Sequence, residues 1–276
     1  MPIGIVLAPY GTLFPPALAT YDQIRKAYER KFHGSSVRLA FTSHLMRKRL
    51  QENVGISIQS LPAALQDICD QGFKSVIVQS LQIVPGGEFH QVAALVQELK
   101  GAKPAFSRLE IGLPLLSDLP DCQKVSSLLP AICSGPAYRR DPEKEAVLLV
   151  GHGTGHPADA LYSLMSQILK EEHRNVFLGT IEGFSGLAGL LPELKDSGAR
   201  VVRILPFLLV AGGHAENDIF GCSPASWKSV LERDGYEVIA DRRGLGERVE
   251  VISLFLEHTK NALEKKKKGN TNKCIY

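Results

Sequence analysis

Two histidines and two glutamates in this chain are spaced so that they could do metal and proton chemistry. The histidines are His152, in Val150-Gly151-His152-Gly153-Thr154, and His214, directly after Ala211-Gly212-Gly213. Glu182 lies between them in sequence, and Glu88 follows Gly86-Gly87 in the first half. Each comes right after an apolar run that reads as a buried strand, where side chains are free to meet a ligand. Two neutral imidazoles and a carboxylate form an N,N,O donor set suited to a divalent first-row ion such as Co²⁺, Fe²⁺, Ni²⁺ or Zn²⁺. A histidine can also take up a proton near neutral pH. Alone, His152 would read as a turn histidine capping the next helix, and Glu88 as an acid favoured by a helix dipole. Finding a second histidine in an equivalent setting moves the reading towards a shared site.

What places these residues side by side is an internal repeat. Gly72–Glu88 (GFKSVIVQSLQIVPGGE) aligns with Gly198–His214 (GARVVRILPFLLVAGGH) without a gap, at a constant offset of 126 residues. Ile3–Thr12 is echoed by Ala146–Thr154, and Val37–His44 by Asn175–Glu182. The repeat therefore superposes Tyr10 on His152, His44 on Glu182, and Glu88 on His214. Strand-like segments are expected at Ile3–Ala8, Arg38–Thr42, Ser75–Leu81 and Leu109–Leu113. A second set is expected at Ala146–Val150, Val176–Thr180, Val201–Phe207 and Tyr236–Ala240. Longer helical patterns alternate with them. Ala17, Tyr21, Ile24 and Tyr28 form one such stripe, and a last helix spans about Arg248–Lys265.

Near-continuously apolar strands separated by helices imply parallel sheets covered on both faces. The expected fold is α/β: two similar, doubly wound parallel-sheet lobes facing a central cleft. Residues 1–134 make the first lobe and 145–264 the second, which carries the histidines. A polar linker, Ser134–Lys144, joins them, and a basic tail spans 265–276. Ligands of open parallel sheets bind beyond the carboxyl ends of the strands, where all the named residues fall. Tyr10, His44 and Arg47 are the further candidates for contacting a substrate there.

Composition narrows the function. The formal net charge of +3 comes from five lysines in 265–276, and the rest of the chain is slightly acidic. No nucleic-acid footprint is present. No apolar run approaches the roughly 20 residues that span a bilayer, and no signal-type leader opens the sequence. Five cysteines without CxxC spacing read as reduced thiols, so the expected location is the cytoplasm. No G-x-G-x-x-G follows the first strand, which argues against a nucleotide enzyme of Rossmann type.

At these residues the chain resembles the anaerobic cobalt chelatases, the sirohydrochlorin cobaltochelatases of the class II chelatase superfamily. The resemblance rests on Phe41-Thr42-Ser43, Val78–Glu88, Gly151–Thr154, Leu209–Asp218, Ser226-Trp227-Lys228 and Gly244–Glu247. It implies insertion of a divalent metal, Co²⁺ or else Fe²⁺ or Ni²⁺, into a reduced tetrapyrrole without ATP. The metal is then a substrate, and the ring a small-molecule partner. It further implies metal-binding roles for His152 and His214, a completing carboxylate in Glu182, and a cleft acid in Glu88. Tyr10 departs from a fully duplicated site, since it stands where the second lobe has His152. The alternatives are iron insertion for sirohaem, or a protein that carries metal or tetrapyrrole without chemistry. Oligomeric state is open, a homo-oligomer included.

Overall fold

The computed structural model describes residues 2–102, 106–133 and 143–264. Most of the linker and all of the basic tail named above lie outside these residues. The first lobe runs β1 (Gly4–Ala8), α1 (Pro15–Lys31), β2 (Ser36–Leu39), α2 (His44–Val54), α3 (Leu61–Asp70), β3 (Ser75–Ser80), α4 (Gly87–Ala102), β4 (Arg108–Gly112) and α5 (Leu119–Ile132). The second runs β5 (Glu145–Gly151), α6 (Ala160–Glu172), β6 (Val176–Thr180), α7 (Leu187–Asp196), β7 (Val201–Pro206), α8 (Trp227–Arg233) and β8 (Glu237–Ala240), and α9 (Val249–Glu264) is the last described element. The eight expected strands are present, although β2 starts two residues before its predicted position.

The repeat in sequence is a repeat in topology. The sheets are ordered β2-β1-β3-β4 and β6-β5-β7-β8, and every strand pair is parallel. β1 and β5 are buried along their whole length, as central strands covered on both faces must be. Helices start where sequence signals say they should. Pro15 and Pro16 open α1, while the Ser43 and Ser60 hydroxyls cap α2 and α3 by accepting the Met46 and Ala63 N–H groups. The expected stripe Ala17, Tyr21, Ile24 and Tyr28 is buried on one face of α1.

Packing departs from the sequence boundaries at the C-terminus. α9, assigned by sequence to the 145–264 lobe, lies against β3, β4, α1 and α5 of the first. A buried polar network fixes it there. The Thr259 hydroxyl stands 3.1 Å from Tyr28 Oη and donates to Gln79 Oε1 at 2.8 Å. His258 Nδ1 meets the Leu113 carbonyl at 3.1 Å, and its Nε2 meets Asp121 Oδ1 at 3.1 Å. One apolar core then runs from Ile5 and Tyr28 through Val125 and Leu129 of α5 to Met165 and Leu169 of α6, with Phe255 of α9.

Both partners of the His258 ring are acceptors, so the imidazolium form suits this setting best. Burial opposes the charge, but the Asp121 carboxylate and the Leu113 carbonyl outweigh it, and the net effect raises the His258 pKa. A histidine with a raised folded pKa stabilises fully below its unfolded value and loses that stability as pH rises through the folded pKa. Thermal unfolding should therefore show Tm falling as pH climbs above the ordinary histidine range. His258→Gln should remove that slope. Parallel wild-type and variant curves would show that α9 is not held by this charge.

Candidate active site

β5 delivers His152 from a fully buried strand into a turn that only glycines allow. Gly153 has φ of +79°, and a Cβ placed on it would lie 2.2 Å from the Gly183 backbone nitrogen. A Cβ on Gly151 would stand 2.7 Å from the Tyr162 ring. The turn is thus pressed between α6 and the loop after β6. That loop is tied to it, because the Glu182 N–H donates to the His152 carbonyl at 2.8 Å. His214 arrives from β7 by a different route. The chain passes Gly212-Gly213 and enters a π-helical turn, Ala215–Ile219, with His214 at its head. Such turns are rare and are enriched at functional sites.

The two imidazoles meet. Nε2 of His152 lies 3.2 Å from Nε2 of His214, and the rings stand edge to face with centroids 4.5 Å apart. The outer nitrogens fix the tautomers. His152 Nδ1 is 2.9 Å from the Gly153 carbonyl, and His214 Nδ1 is 2.7 Å from Asp218 Oδ2. A carbonyl and a carboxylate can only accept, so both Nδ1 atoms donate, and in the neutral imidazoles both Nε2 atoms present lone pairs. Two lone pairs face to face need a shared proton or a common cation between them. Two nitrogens each about 2.0–2.1 Å from one tetrahedral ion stand roughly 3.3–3.4 Å apart, close to the gap here. An outer N–H given to a carboxylate or a carbonyl is also the usual support of a metal-ligating histidine.

The carboxylates are arranged differently from the sequence expectation. Glu182 Oε2 stands 3.8 Å from His152 Nδ1, on the far edge of the ring from Nε2. The backbone bond from Glu182 to His152 holds the loop alongside the turn and sets the carboxylate there. Among the described residues, no three His, Cys, Asp or Glu side chains form a group that could hold a metal ion. Glu88 begins α4 and, among the described residues, makes no ion pair with either histidine. It lines a pocket of about 300 Å³ with Thr42, Arg47, Ser60, Gln91 and Leu95. Burial pushes its carboxyl above the usual range, partly offset by the neighbouring Thr42 hydroxyl, which is buried without another partner.

The remaining candidates lie at the rim. Tyr10 is 43% exposed just past β1, and His44 is exposed at the first turn of α2. Arg47 turns inward instead, with Nη1 donating to the Phe41 and Thr42 carbonyls, so its guanidinium holds the segment that follows β2. His90 and His156 approach from opposite lobes, with ring centroids 5.1 Å apart.

Asp159 is a site residue that sequence reasoning missed. Its Oδ1 accepts the Thr154 N–H and its Oδ2 the Phe184 N–H, both at 2.9 Å. One carboxylate thereby clamps the loops after β5 and β6 together. In sequence it looks like an ordinary acid before α6, and no spacing rule marks a carboxylate shared by two loops. The lobes meet through matching contacts. A Cβ on Gly212 would lie 3.2 Å from Thr12 Oγ1, and one on Gly86 would lie 3.7 Å from Thr154 Oγ1. Thr12 and Thr154, like Gly86 and Gly212, are equivalent in the repeat, so the interface has pseudo-two-fold character.

Comparison with known proteins decides the family. The profile described as Cobalt chelatase (CbiK) matches residues 3–264. The chain belongs to this cobalt chelatase family. A relative named sirohydrochlorin cobaltochelatase CbiKC, from Nitratidesulfovibrio vulgaris (strain Hildenborough), is 34% identical over 255 residues, covering 92% of this chain and 88% of the relative. Another, named sirohydrochlorin cobaltochelatase, from Salmonella typhimurium, is 32% identical over 224 residues, with 81% and 82% covered. Among solved structures, SirB from Bacillus subtilis with Fe³⁺ superposes with a TM-score of 0.67 at 16% identity, over 96% of this chain and 97% of its own. That likeness shows a common two-lobed fold. In this cobalt chelatase the facing imidazoles lie at the tips of β5 and β7, where an open parallel sheet collects its ligand contacts. Among the described residues, no helix is long and apolar enough to cross a membrane.

Proposed function

We propose that this chain inserts a divalent ion, Co²⁺ first among them, into sirohydrochlorin without ATP, in the cytoplasm. The ring gives up two N–H protons as the dication enters, so charge balances without any redox step. The observation that carries the reading is the 3.2 Å gap between His152 Nε2 and His214 Nε2, with both outer nitrogens already committed. Family membership supplies the reaction class. In this scheme the imidazole pair holds the incoming ion loosely and passes it to the pyrrole nitrogens. A closed four-ligand cage would retain the metal, whereas an open set can release it. Glu182, with its side chain 58% exposed, has the freedom to swing in as an oxygen donor. We assign it that role.

Glu88 is our proposed proton acceptor. A carboxylate whose pKa is raised by burial is a stronger base than an ordinary glutamate, nearer the useful range for general base work. The acid limb of kcat/KM should then lie above the usual glutamate range. Glu88→Gln should cut insertion by about 10²-fold or more, remove that limb, and slightly raise Tm, because a costly half-buried charge is gone. An unchanged pH profile in Glu88→Gln would take the proton away from Glu88.

The function is tested by following the absorption of metal-free sirohydrochlorin with purified protein and Co²⁺, Fe²⁺ or Ni²⁺, each with and without ATP. Conversion fastest with Co²⁺ and indifferent to ATP is expected. No acceleration over the protein-free reaction with any of the three ions would dismiss the enzyme reading and leave a carrier.

A further inference from the structure

Phe184 is 90% exposed, the most exposed large apolar side chain among the described residues. Its backbone, in contrast, is firmly held. The Phe184 N–H donates to Asp159 Oδ2 at 2.9 Å, and the same carboxylate holds Thr154. On either side, the Glu182 N–H donates to the His152 carbonyl and the Thr180 N–H to the Ser185 carbonyl. Gly183 has no spare room, since a Cβ there would lie 2.4 Å from Thr180 Oγ1 and 2.5 Å from Asp159 Oδ1. The loop is therefore braced against the His152 turn, and it presents an aromatic ring to the outside. Held in place like this, the ring is a fixed apolar surface beside the His152 turn.

Its neighbours point to which partner. The exposed large apolar residues are Tyr10, Leu45, Val54, Leu119, Phe184 and Val249. Three of them, Tyr10, Leu45 and Phe184, follow the carboxyl ends of β1, β2 and β6, and the loop after β6 also carries Glu182. Two come from the first lobe and one from the second, and the Thr12–Gly212 and Thr154–Gly86 contacts bring those lobes together. Thr12, two residues past Tyr10, meets the Gly212 turn that leads to His214, and Phe184 lies two residues past Glu182, so both flank loops that carry the site.

We infer that Phe184 is a positioning residue, a flat face against which the tetrapyrrole macrocycle lies, with Tyr10 and Leu45 adding apolar contact from the opposite lobe. The inference rests on the chelatase reading above and deepens it. Aromatic faces pair in offset or edge-on arrangements that add to plain area burial. The ring's carboxylates can stay in water while its apolar face is covered. Phe184 contributes to holding the ring and not the metal, and this separates its role from that of the histidines.

The test uses the full chain with Phe184→Ala, Phe184→Leu and Phe184→Trp, titrated with metal-free sirohydrochlorin and assayed for Co²⁺ insertion. Phe184→Ala should weaken ring binding roughly tenfold and raise KM in parallel, with Co²⁺ binding in the absence of ring unchanged. Phe184→Leu should recover part of the loss and Phe184→Trp nearly all of it. Wild-type ring affinity in Phe184→Ala would overturn the assignment. Full recovery by Phe184→Leu would overturn the flat-face part of it. A changed sedimentation coefficient at unchanged ring affinity would assign the side chain to self-association instead. Failure of the wild-type protein to bind the ring at all would sink the chelatase reading itself, and is thereby distinguishable from a failure confined to Phe184.

Discussion

With alanine in place of His214, Co²⁺ insertion should fall by about 10²–10⁴-fold while sirohydrochlorin still binds. The magnitude is that of removing a positioned proton-transfer or ligand group from a reacting centre. The fold should survive, because the His214 side chain is half exposed and is tied to its own turn through Asp218, with His152 as its facing partner. His152→Ala should behave in the same way. The double variant should be scarcely worse than either single one, since a bridging pair acts as a unit and its losses do not add. Steady-state insertion rates on all three proteins, with ring binding measured separately, decide the matter. Substantial turnover in either single variant would remove the imidazole pair from the reaction.

The second large effect is expected at a residue with no side chain. Gly153→Ala would force an L residue to φ of +79° and drive its Cβ into the Gly183 nitrogen at 2.2 Å. The left-handed conformation alone costs about 1–2 kcal/mol, and the clash is with backbone that cannot rotate away. A loss of at least about 2 kcal/mol, or roughly 5 °C in Tm, follows for a chain of this size. The loop carrying Glu182 and Phe184 must shift, so activity should drop along with stability. Gly155→Ala is the control, because nothing lies within 4 Å of a Cβ there. Near-wild-type stability and insertion in Gly153→Ala would show that the two loops are not pressed together.

Much of this was legible in the sequence because the repeat carries geometric information. Runs such as Val147–Val150 and Val76–Val78 are too uniformly apolar for anything but strands covered on both faces. Aligning the two copies placed His152 and His214 at neighbouring strand tips, and they do meet. The direction of a side chain within a tip was not legible. Glu88 aligns with His214, yet its carboxyl lies beside Thr42 in a pocket of the first lobe. Arg47 stands as a candidate for substrate contact, and nothing in its residue type announces that its guanidinium donates to the carbonyls of Phe41 and Thr42. Asp159 was missed because its work is done on backbone N–H groups from two loops, which leave no trace in residue type. A last helix was legible at about Arg248–Lys265, but its sequence cannot name the surface that buries it.

The placement of α9 has a consequence for how the molecule is made. The first sheet is translated before the second, yet the helix that covers part of β3 and β4 is synthesised only after the whole second sheet. Until then Gln79 lacks Thr259, Asp121 lacks His258, and a stretch of apolar surface has no cover. The N-terminal half therefore cannot reach its finished state on the ribosome ahead of the C-terminal half. A chain built from two versions of one unit thus matures as a single body, and a nascent fragment ending before α9 leaves part of its first lobe uncovered.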